Sequence, residues 1–248
     1  MGTVKRDNRP DIDIDTAKFL LYGLESIEGW GIDANLARLF LNLNEYQRQR
    51  KTYGNLFEIG VHHGRSAVLL ALMSSLGETA VFVDLFDRQD ENVDLSGSGN
   101  LQIFKSNLAK WAPGKIALIL QENSLNLDFA AVEELKDGVR FAHIDGAHYR
   151  AAVLNDIVKT RSVLIDGGIV VVDDFMHTGF PGVNEACNAY LEENTENKLE
   201  PVAIGMNKLI LTTRESRAEL FEHLRSGYTD VHHFVSFHNN DVVCLDPH

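Results

Sequence analysis

The hydrophobic positions of this 248-residue chain follow two different rhythms, one before and one after Asn55. Between Thr16 and about Arg50 the apolar residues recur at helical spacing, which predicts two helices, the second behind the candidate capping residue Asp33. Beyond Asn55, short apolar runs alternate with helical stretches, which is typical of βαβ units on a parallel sheet. The predicted strands are Leu56–Ile59, Ala80–Asp84, Ile116–Gln121, Arg140–Asp145 and Gly168–Val172. The predicted helices between and after them are Arg65–Leu76, Leu101–Trp111, Phe129–Lys136, Arg150–Leu164 and Val183–Glu192.

The rhythm changes again after Leu199, where two further pairs of strands are expected around a helix from Ser216 to Arg225. The pairs are Pro201–Ile204 with Lys208–Thr212, and Val231–Phe237 with Asp241–Leu245. Such pairs predict an antiparallel edge on an otherwise parallel sheet. The predicted fold class is therefore α/β, with a doubly wound sheet, an antiparallel edge and an N-terminal helical cap. We place the cap at residues 1–52 and the globular unit that carries the sheet at residues 53–248.

Composition and charge narrow the classes of partner. The chain has 23 Lys and Arg against 36 Asp and Glu, a formal net charge of −13, which repels phosphate backbones and predicts no nucleic-acid partner. Cys187 and Cys244 show no metal-ligand or redox spacing, so we expect neither a zinc site nor a disulfide framework. The longest apolar run, Ala67–Met73, is too short to span a membrane, and Met1–Asp11 do not resemble a signal peptide. These features predict a cytoplasmic protein without a membrane partner.

The end of the first predicted strand has the composition of a ligand-binding turn. Gly60 and Gly64 allow a tight turn before a helix, where the backbone can approach a ligand closely. Asp84 ends the second strand 24 residues after Gly60, close to the spacing at which an acidic residue binds ribose hydroxyls. His62 would crowd a pyrophosphate and Glu58 adds negative charge, so we expect a cationic or zwitterionic nucleoside rather than a dinucleotide. The alternative is a turn that only packs the helix against the sheet.

Carboxylates also follow the fourth and fifth predicted strands. Asp145 follows the fourth, and Asp173 and Asp174 follow the fifth, so three carboxylates are expected to converge at one edge of the sheet. They would repel one another unless a cation or a proton intervened, and a divalent cation such as Mg²⁺ takes oxygen ligands. His148, three residues after Asp145, is a candidate general base because its ordinary pKa lies near neutrality. The alternative is structural: one aspartate caps a helix and another pairs with an arginine.

Together these motifs resemble the class I S-adenosylmethionine-dependent methyltransferases. The resemblance is to the small-molecule O-methyltransferase group, which includes macrocin O-methyltransferase-like and cephalosporin-hydroxylase-like proteins. The motifs that carry it are Glu58-x-Gly60-x-x-x-Gly64-x-Ser66, Asp84, Ile144–Tyr149 and Val172–Phe175. The resemblance covers about Leu56 to Thr212, and it implies a Rossmann-like sheet of seven strands, mostly parallel, with the last strand antiparallel.

The resemblance also implies roles for individual residues. S-adenosylmethionine would contact Glu58, Gly60, Val61, Gly64, Ser66, Asp84, Leu85, Ser124 and Asp145. In metal-dependent relatives such as catechol O-methyltransferase the magnesium ligands follow strands four and five, which correspond here to Asp145, Asp173 and Asp174. His148 stands where that enzyme has its basic lysine, so His148 and Asp145 are the predicted catalytic residues. The segment Asp94–Asn100, rich in Gly and Ser, is the predicted lid.

The predicted function is therefore transfer of a methyl group from S-adenosylmethionine to a hydroxyl of a small molecule, such as a sugar or a natural product, with a divalent cation assisting. Two alternatives stay open. One is a metallohydrolase with the ligands Asp145, His148, Asp173, Asp174 and His177, and the other is a non-catalytic protein that binds S-adenosylmethionine. A short-chain dehydrogenase is disfavoured because Val153, not lysine, follows Tyr149 by four residues. The amphipathic helices before Asn55 leave a homo-oligomer open.

Overall fold

The computed structural model describes residues 12–30, 32–193, 197–227 and 231–245. Its helices are α1 (Ile14–Lys18), α2 (Ala34–Gln49), α3 (Arg65–Met73), α4 (Leu101–Trp111), α5 (Glu133–Lys136), α6 (Arg150–Val163), α7 (Pro181–Glu192) and α8 (Arg214–Gly227). Its strands are β1 (Asn55–Ile59), β2 (Ala80–Asp84), β3 (Ala117–Gln121), β4 (Val139–Ile144), β5 (Leu164–Val172), β6 (Glu200–Gly205), β7 (Lys208–Thr212), β8 (Val231–Phe237) and β9 (Asn240–Leu245). Residues 1–11 of the predicted cap and residues 246–248 of the predicted main unit lie outside the described residues.

Two helical segments precede the sheet, as the spacing of apolar residues predicts. The first is α1, which continues through a π-helical turn to Gly23 and a 3₁₀ turn to Ser26. The second, α2, begins at the predicted capping residue Asp33, whose carboxylate accepts the amide of Leu36 at 2.9 Å. Leu36 on α2 and Leu56 on β1 belong to the same buried cluster, so the boundary between residues 52 and 53 stays a prediction.

The nine described strands form one sheet in the order β3-β2-β1-β4-β5-β7-β6-β9-β8. Strands β1 to β5 are parallel, and β7 lies antiparallel between β5 and β6. The predicted α/β class and the antiparallel edge are confirmed, whereas the predicted number of seven strands is wrong. The hairpin of β8 and β9 extends the sheet because β9 pairs in parallel with β6, which satisfies an edge that would otherwise be open.

Both faces of the central strands are buried. Neighbouring residues on one strand belong to different hydrophobic clusters: Leu56 and Ile169 lie in the first cluster, and Phe57 and Val170 lie in the second. Side chains of α2, α3 and α8 complete one cluster, and those of α6 and α7 complete the other. Near-continuous apolar runs therefore mark these strands, because helices cover each face of the sheet.

Two elements differ from their predicted boundaries by more than the others. Strand β5 begins at Leu164, directly after α6, and not at Gly168. The predicted helix Phe129–Lys136 is interrupted at Val132, whose extended backbone separates a 3₁₀ turn from α5. Among the described residues, no helix combines the length and the apolar character that a membrane span requires.

Candidate active site

A cleft of about 560 Å³ opens at the carboxyl ends of the parallel strands. Residues at or just beyond the ends of β1, β2, β4 and β5 form its floor. The segment Glu28–Trp30 and parts of the segment between Gln89 and Gly99 form its rim. The cleft therefore lies at the edge of the sheet where an open α/β fold binds its ligands.

The turn after β1 brings the backbone of the site close together. Gly60 has φ +84°, and a Cβ atom built on it would lie 1.8 Å from the carbonyl oxygen of Asp145. Gly64 has φ +91°, and a Cβ atom there would lie 2.4 Å from the ring of Phe104. Both positions therefore require glycine, for conformation and for space. The approach of the β1 and β4 ends is what places Asp145 beside the turn.

Asp84 holds this turn in place. One oxygen of its carboxylate accepts the amides of Val61 at 2.5 Å and His62 at 2.8 Å, and the other accepts the amide of Phe86 at 2.5 Å. A carboxylate has about four acceptor sites, so three backbone amides leave it with about one for a ligand. Asp84 thus organises the glycine turn and still lines the cleft.

The predicted cofactor residues fall into two groups. Those that line the cleft are Gly60, Val61, Ser66, Asp84, Leu85, Ser124 and Asp145. Glu58 and Gly64 are not among its lining residues. Glu58 is fully buried, and one of its oxygens lies 2.7 Å from Nδ1 of His143. The structure therefore places Glu58 beneath the cleft.

A buried network of four ionisable side chains extends inward from the cleft floor: Glu58, His143, Asp173 and Lys208, of which Asp173 also lines the cleft. None of them is more than 4 % exposed. The ring of His143 lies between Glu58 and Asp173, with Nε2 3.4 Å from an oxygen of Asp173. The ammonium of Lys208 donates to the other oxygen of Asp173. Two acidic and two basic side chains thus meet in the interior, and the term buried network refers to these four residues.

The pKa values in the buried network follow from its contacts. Burial opposes the charged form of His143, but its contacts with the carboxylates of Asp173 and Glu58 raise the pKa of His143 to about 10. Burial also disfavours ionised Asp173, yet His143 and Lys208 lower the pKa of that carboxyl. Burial raises the pKa of Glu58, an effect that its bond with His143 opposes. Asp173 is therefore an ionised carboxylate that already has two basic partners.

A second group of side chains, which we call the cleft cluster, consists of Asp145, His148 and Asp174. Each offers a ligand atom, and these atoms lie within 4.8 Å of one another. Nε2 of His148 lies 3.0 Å from an oxygen of Asp174. Burial and the charge of Asp173 raise the pKa of Asp145 well above its ordinary range. Of the three carboxylates predicted to converge, Asp145 and Asp174 therefore belong to the cleft cluster. The third, Asp173, belongs to the buried network and forms a second such group with His143 and Asp145.

The hairpin between β6 and β7 supports the cleft cluster from one side. Asn207, at the turn of this hairpin, donates from its side chain to Asp174 at 2.6 Å. Its carbonyl and side-chain oxygens accept the amides of Phe175 and Met176. Asp174 itself has φ +57°, a conformation that turns the chain between the two adjacent aspartates. Asn207 therefore fixes the direction of the Asp174 carboxylate.

Several residues of the site were not predicted. Asn207, Trp30 and Phe180 line the cleft, and His143 and Lys208 belong to the buried network. Lys208 had a detectable signal, because a lysine at the start of an otherwise apolar strand needs a partner when it is buried. The other residues reach the site only through the order and register of the strands and through the path of the loops.

Aromatic rings stand on two sides of the cleft. Trp30 packs 5.2 Å from the ring of His62, and the indole is 73 % exposed. On the other side Phe180 stacks on His148 at 3.9 Å and on His177 at 4.6 Å. These rings offer flat surfaces to a bound molecule. His177, a ligand in the metallohydrolase alternative, also lines the cleft.

Comparison with known families decides the class of this site. Residues 57–175 match the family described as a methyltransferase domain, and this segment contains the glycine turn, Asp84 and the aspartates at the ends of β4 and β5. Residues 57–175 are a methyltransferase domain. The resemblance to class I S-adenosylmethionine-dependent methyltransferases, predicted from the sequence, is confirmed, and so is the prediction of an enzyme.

Solved structures agree with the fold of the methyltransferase. The O-methyltransferase NovP is 16% identical, with a TM-score of 0.61 over 73% of this chain and 80% of NovP. TomG of Streptomyces achromogenes, an O-methyltransferase in complex with SAM, is 16% identical, with a TM-score of 0.56 over 82% of this chain and 92% of TomG. CalS11, a TDP-rhamnose 3′-O-methyltransferase, is 16% identical, with a TM-score of 0.55 over 82% of this chain and 88% of CalS11. No curated protein sequence matches this chain.

Proposed function

We propose that this methyltransferase transfers the methyl group of S-adenosylmethionine to a hydroxyl oxygen of a small molecule, with a divalent cation beside the acceptor. The observation that carries the proposal is the cleft cluster, in which two carboxylates and an imidazole lie next to the glycine turn of a methyltransferase domain. The bond between methyl and sulfur breaks as the bond between methyl and oxygen forms. The hydroxyl proton then needs a base, and the cleft cluster supplies candidates for that role.

The cofactor would lie along the residues that line the cleft at the ends of β1 and β2. Gly60 and Val61 present backbone to it, and Asp84 has about one acceptor site left for a ribose hydroxyl. Ser124, after β3, lines the same cleft and is proposed to lie near the adenine. The complex of TomG with SAM supports this choice of cofactor.

The donor set of the cleft cluster fits a divalent cation better than the set predicted from sequence does. Asp145 and Asp174 present oxygen ligands. Burial and the charge of Asp173 disfavour the ionised form of Asp145, and a bound cation would favour that form. Asp173 fits less well because Lys208 already donates to one of its oxygens, and the other lies 3.4 Å from Nε2 of His143, which is charged in the interior. We propose Asp145 and Asp174 as the ligands. A bound cation would lower the pKa of the acceptor hydroxyl and orient it.

His148 is the proposed base. Its ring is stacked on Phe180, and its Nε2 faces the cleft cluster beside Asp174. In the proposed reaction Nε2 leaves Asp174 and accepts the proton of the acceptor hydroxyl. Burial opposes the charged imidazole, but Asp174, Asp145 and Asp94 raise the pKa of His148. A cation held by Asp145 and Asp174 would oppose this effect and favour the neutral imidazole, whose Nε2 has a lone pair to accept the proton.

The lining of the cleft bears on the charge of the acceptor. Among the described residues that line it, Arg65 is the only arginine or lysine. Its guanidinium donates to the carbonyl oxygens of Leu24 and Gly29 and pairs with Glu25. A phosphate on the acceptor would therefore meet carboxylates and no free cationic side chain. This favours a hydroxylated acceptor that is uncharged or cationic, and argues against nucleic acid. CalS11, which acts on TDP-rhamnose, supports a sugar hydroxyl but carries a diphosphate on its substrate.

Calorimetry with S-adenosylmethionine, with and without Mg²⁺, tests the proposal first, followed by a screen of hydroxylated acceptors with and without a phosphate. We expect cofactor binding, methyl transfer to an acceptor without phosphate, and a rise in melting temperature with Mg²⁺ that the Asp145→Asn variant lacks. Failure to bind the cofactor would overturn the function, and full activity in excess chelator would overturn only the role of the cation. Sedimentation of the same sample tests the homo-oligomer, which stays a prediction.

A further inference from the structure

The segment between Asn92 and Gly99 crosses the cleft from the rim near Trp30 to the cleft cluster. Gly97 and Gly99 lie against the glycine turn: a Cβ atom on Gly97 would lie 3.6 Å from the ring of His62, and one on Gly99 would lie 3.2 Å from the carboxylate of Asp84. This segment includes most of the predicted lid, Asp94–Asn100. Its path puts it over both the proposed cofactor site and the proposed base.

The predicted lid is joined to the cleft cluster by one carboxylate, that of Asp94. One oxygen of Asp94 accepts the backbone amide of His148 at 2.6 Å and lies 3.1 Å from Nδ1 of the same residue. The other oxygen accepts the amide and the hydroxyl of Ser96, at 3.2 and 2.6 Å. Asp94 therefore organises the lid with one oxygen and contacts His148 with the other.

Little apolar packing competes with these bonds for control of the lid. The neighbours of Asp94 on each side, Val93 and Leu95, are 74 % and 81 % exposed, whereas the side chain of Asp94 is only 18 % exposed. Asn92 adds bonds to the carbonyl oxygens of Ser96 and Gly97, but these stay within the segment. The contact of Asp94 with His148 is therefore a principal attachment of the lid to the cleft cluster.

The geometry points to Asp94 as a positioning residue that acts through His148, an inference that rests on the proposed function. In the neutral imidazole Asp94, by accepting from Nδ1, keeps the ring proton on that nitrogen, so that Nε2 is the atom that receives the acceptor's proton once it leaves Asp174. The same bonds hold the lid down while His148 is in this orientation. Closure of the lid and alignment of the base are then one event, and an open lid leaves the imidazole without its orienting partner.

The test compares Asp94→Asn with Asp90→Asn, which removes a carboxylate from an exposed position in the 3₁₀ turn just before this segment. Both variants are measured as the complex with S-adenosylhomocysteine and as active enzyme. For Asp94→Asn we expect kcat to fall about 10- to 100-fold, as is typical for loss of a partner that orients a catalytic histidine, with KM for S-adenosylmethionine nearly unchanged. In the double variant Asp94→Asn/His148→Ala, kcat should fall no further than in His148→Ala alone.

Hydrogen exchange of the amides of residues 95–99 provides a readout that needs no turnover. Asp94→Asn should speed this exchange and Asp90→Asn should leave it as in the wild type. Additive losses in the double variant, or equal exchange in the two single variants, would overturn the inference. If the wild type methylates none of the acceptors, the proposed function fails, while the exchange measurement still decides whether Asp94 holds the lid.

Discussion

The buried network and the cleft cluster lie next to each other at the ends of β4 and β5, yet their environments differ sharply. In the buried network each acidic side chain contacts a basic one, and all four are almost inaccessible to solvent. In the cleft cluster Asp145 and Asp174 stand beside His148 and line an open cleft. Asp173 and Asp174, adjacent in sequence, belong to different groups because Asp174 has a left-handed backbone and Asn207 holds its carboxylate.

Within the pair Asp173 and Asp174, one residue is therefore expected to serve stability and the other to serve chemistry. A buried, paired charge resists change because removal of one partner leaves the other unsatisfied in the interior. A carboxylate that lines a cleft has acceptor sites to give to a ligand. We therefore expect substitutions in the buried network to act mainly on the free energy of unfolding, and substitutions in the cleft cluster to act mainly on the rate of methyl transfer.

The largest expected effect is on catalysis, in the cleft cluster. Asp174→Ala should lower kcat/KM for methyl transfer by about 10³-fold, since it removes a proposed cation ligand and the neighbour of the proposed base. Its melting temperature should stay within a few degrees of the wild type, measured by calorimetry. A variant that loses its fold, or that keeps wild-type kcat/KM, would remove the distinction between the two groups.

The next effect is on stability, in the buried network. Lys208→Met should lower the free energy of unfolding by about 3–5 kcal/mol, because ionised Asp173 then loses its ammonium partner in the interior. Urea denaturation measures the loss. The double variant Asp173→Asn/Lys208→Met should regain part of it, since no uncompensated charge remains. Equal stability of Lys208→Met and the wild type would contradict the role given to this pair.

The smallest effect is a pH dependence that belongs to His143. Its pKa is raised to about 10 in the folded protein, so its charged form contributes stability that is fully present below its unfolded pKa, near 6.5, and is lost as the pH rises through about 10. The difference in unfolding free energy between wild type and His143→Gln should narrow by at least about 1 kcal/mol between pH 7 and pH 10.5. Denaturant titrations at several pH values measure this, with Lys136→Gln, at a surface helix, as the control. A constant difference would show that His143 is not charged in the interior.

Much of the fold follows from patterns that a single sequence displays. Short apolar runs that alternate with helical stretches predicted the parallel strands, and the paired runs after Leu199 predicted the antiparallel edge. Local patterns predicted a strand at each of the nine positions, and the number seven came from the family resemblance. The pairing of β9 with β6 was not predicted, because it joins segments about 40 residues apart and no local pattern encodes that contact. Gly60 and Asp84 were also predictable, because a nucleoside site in this fold needs a tight turn after one strand and an acidic residue at the end of the next. Both residues lie within a short stretch of chain.

By itself, the sequence determined the class of fold, the glycine turn, and the carboxylates that the strands deliver to one edge of the sheet. Only the tertiary structure decided which carboxylate is neutralised and which faces the cleft. Lys208 lies 35 residues from Asp173, and Asp94 lies 54 residues from His148. Their meeting depends on strand order, on register and on the path of a loop. The physical reason is that the charge state and orientation of a side chain are set by its neighbours in space, whereas a sequence displays only its neighbours along the chain.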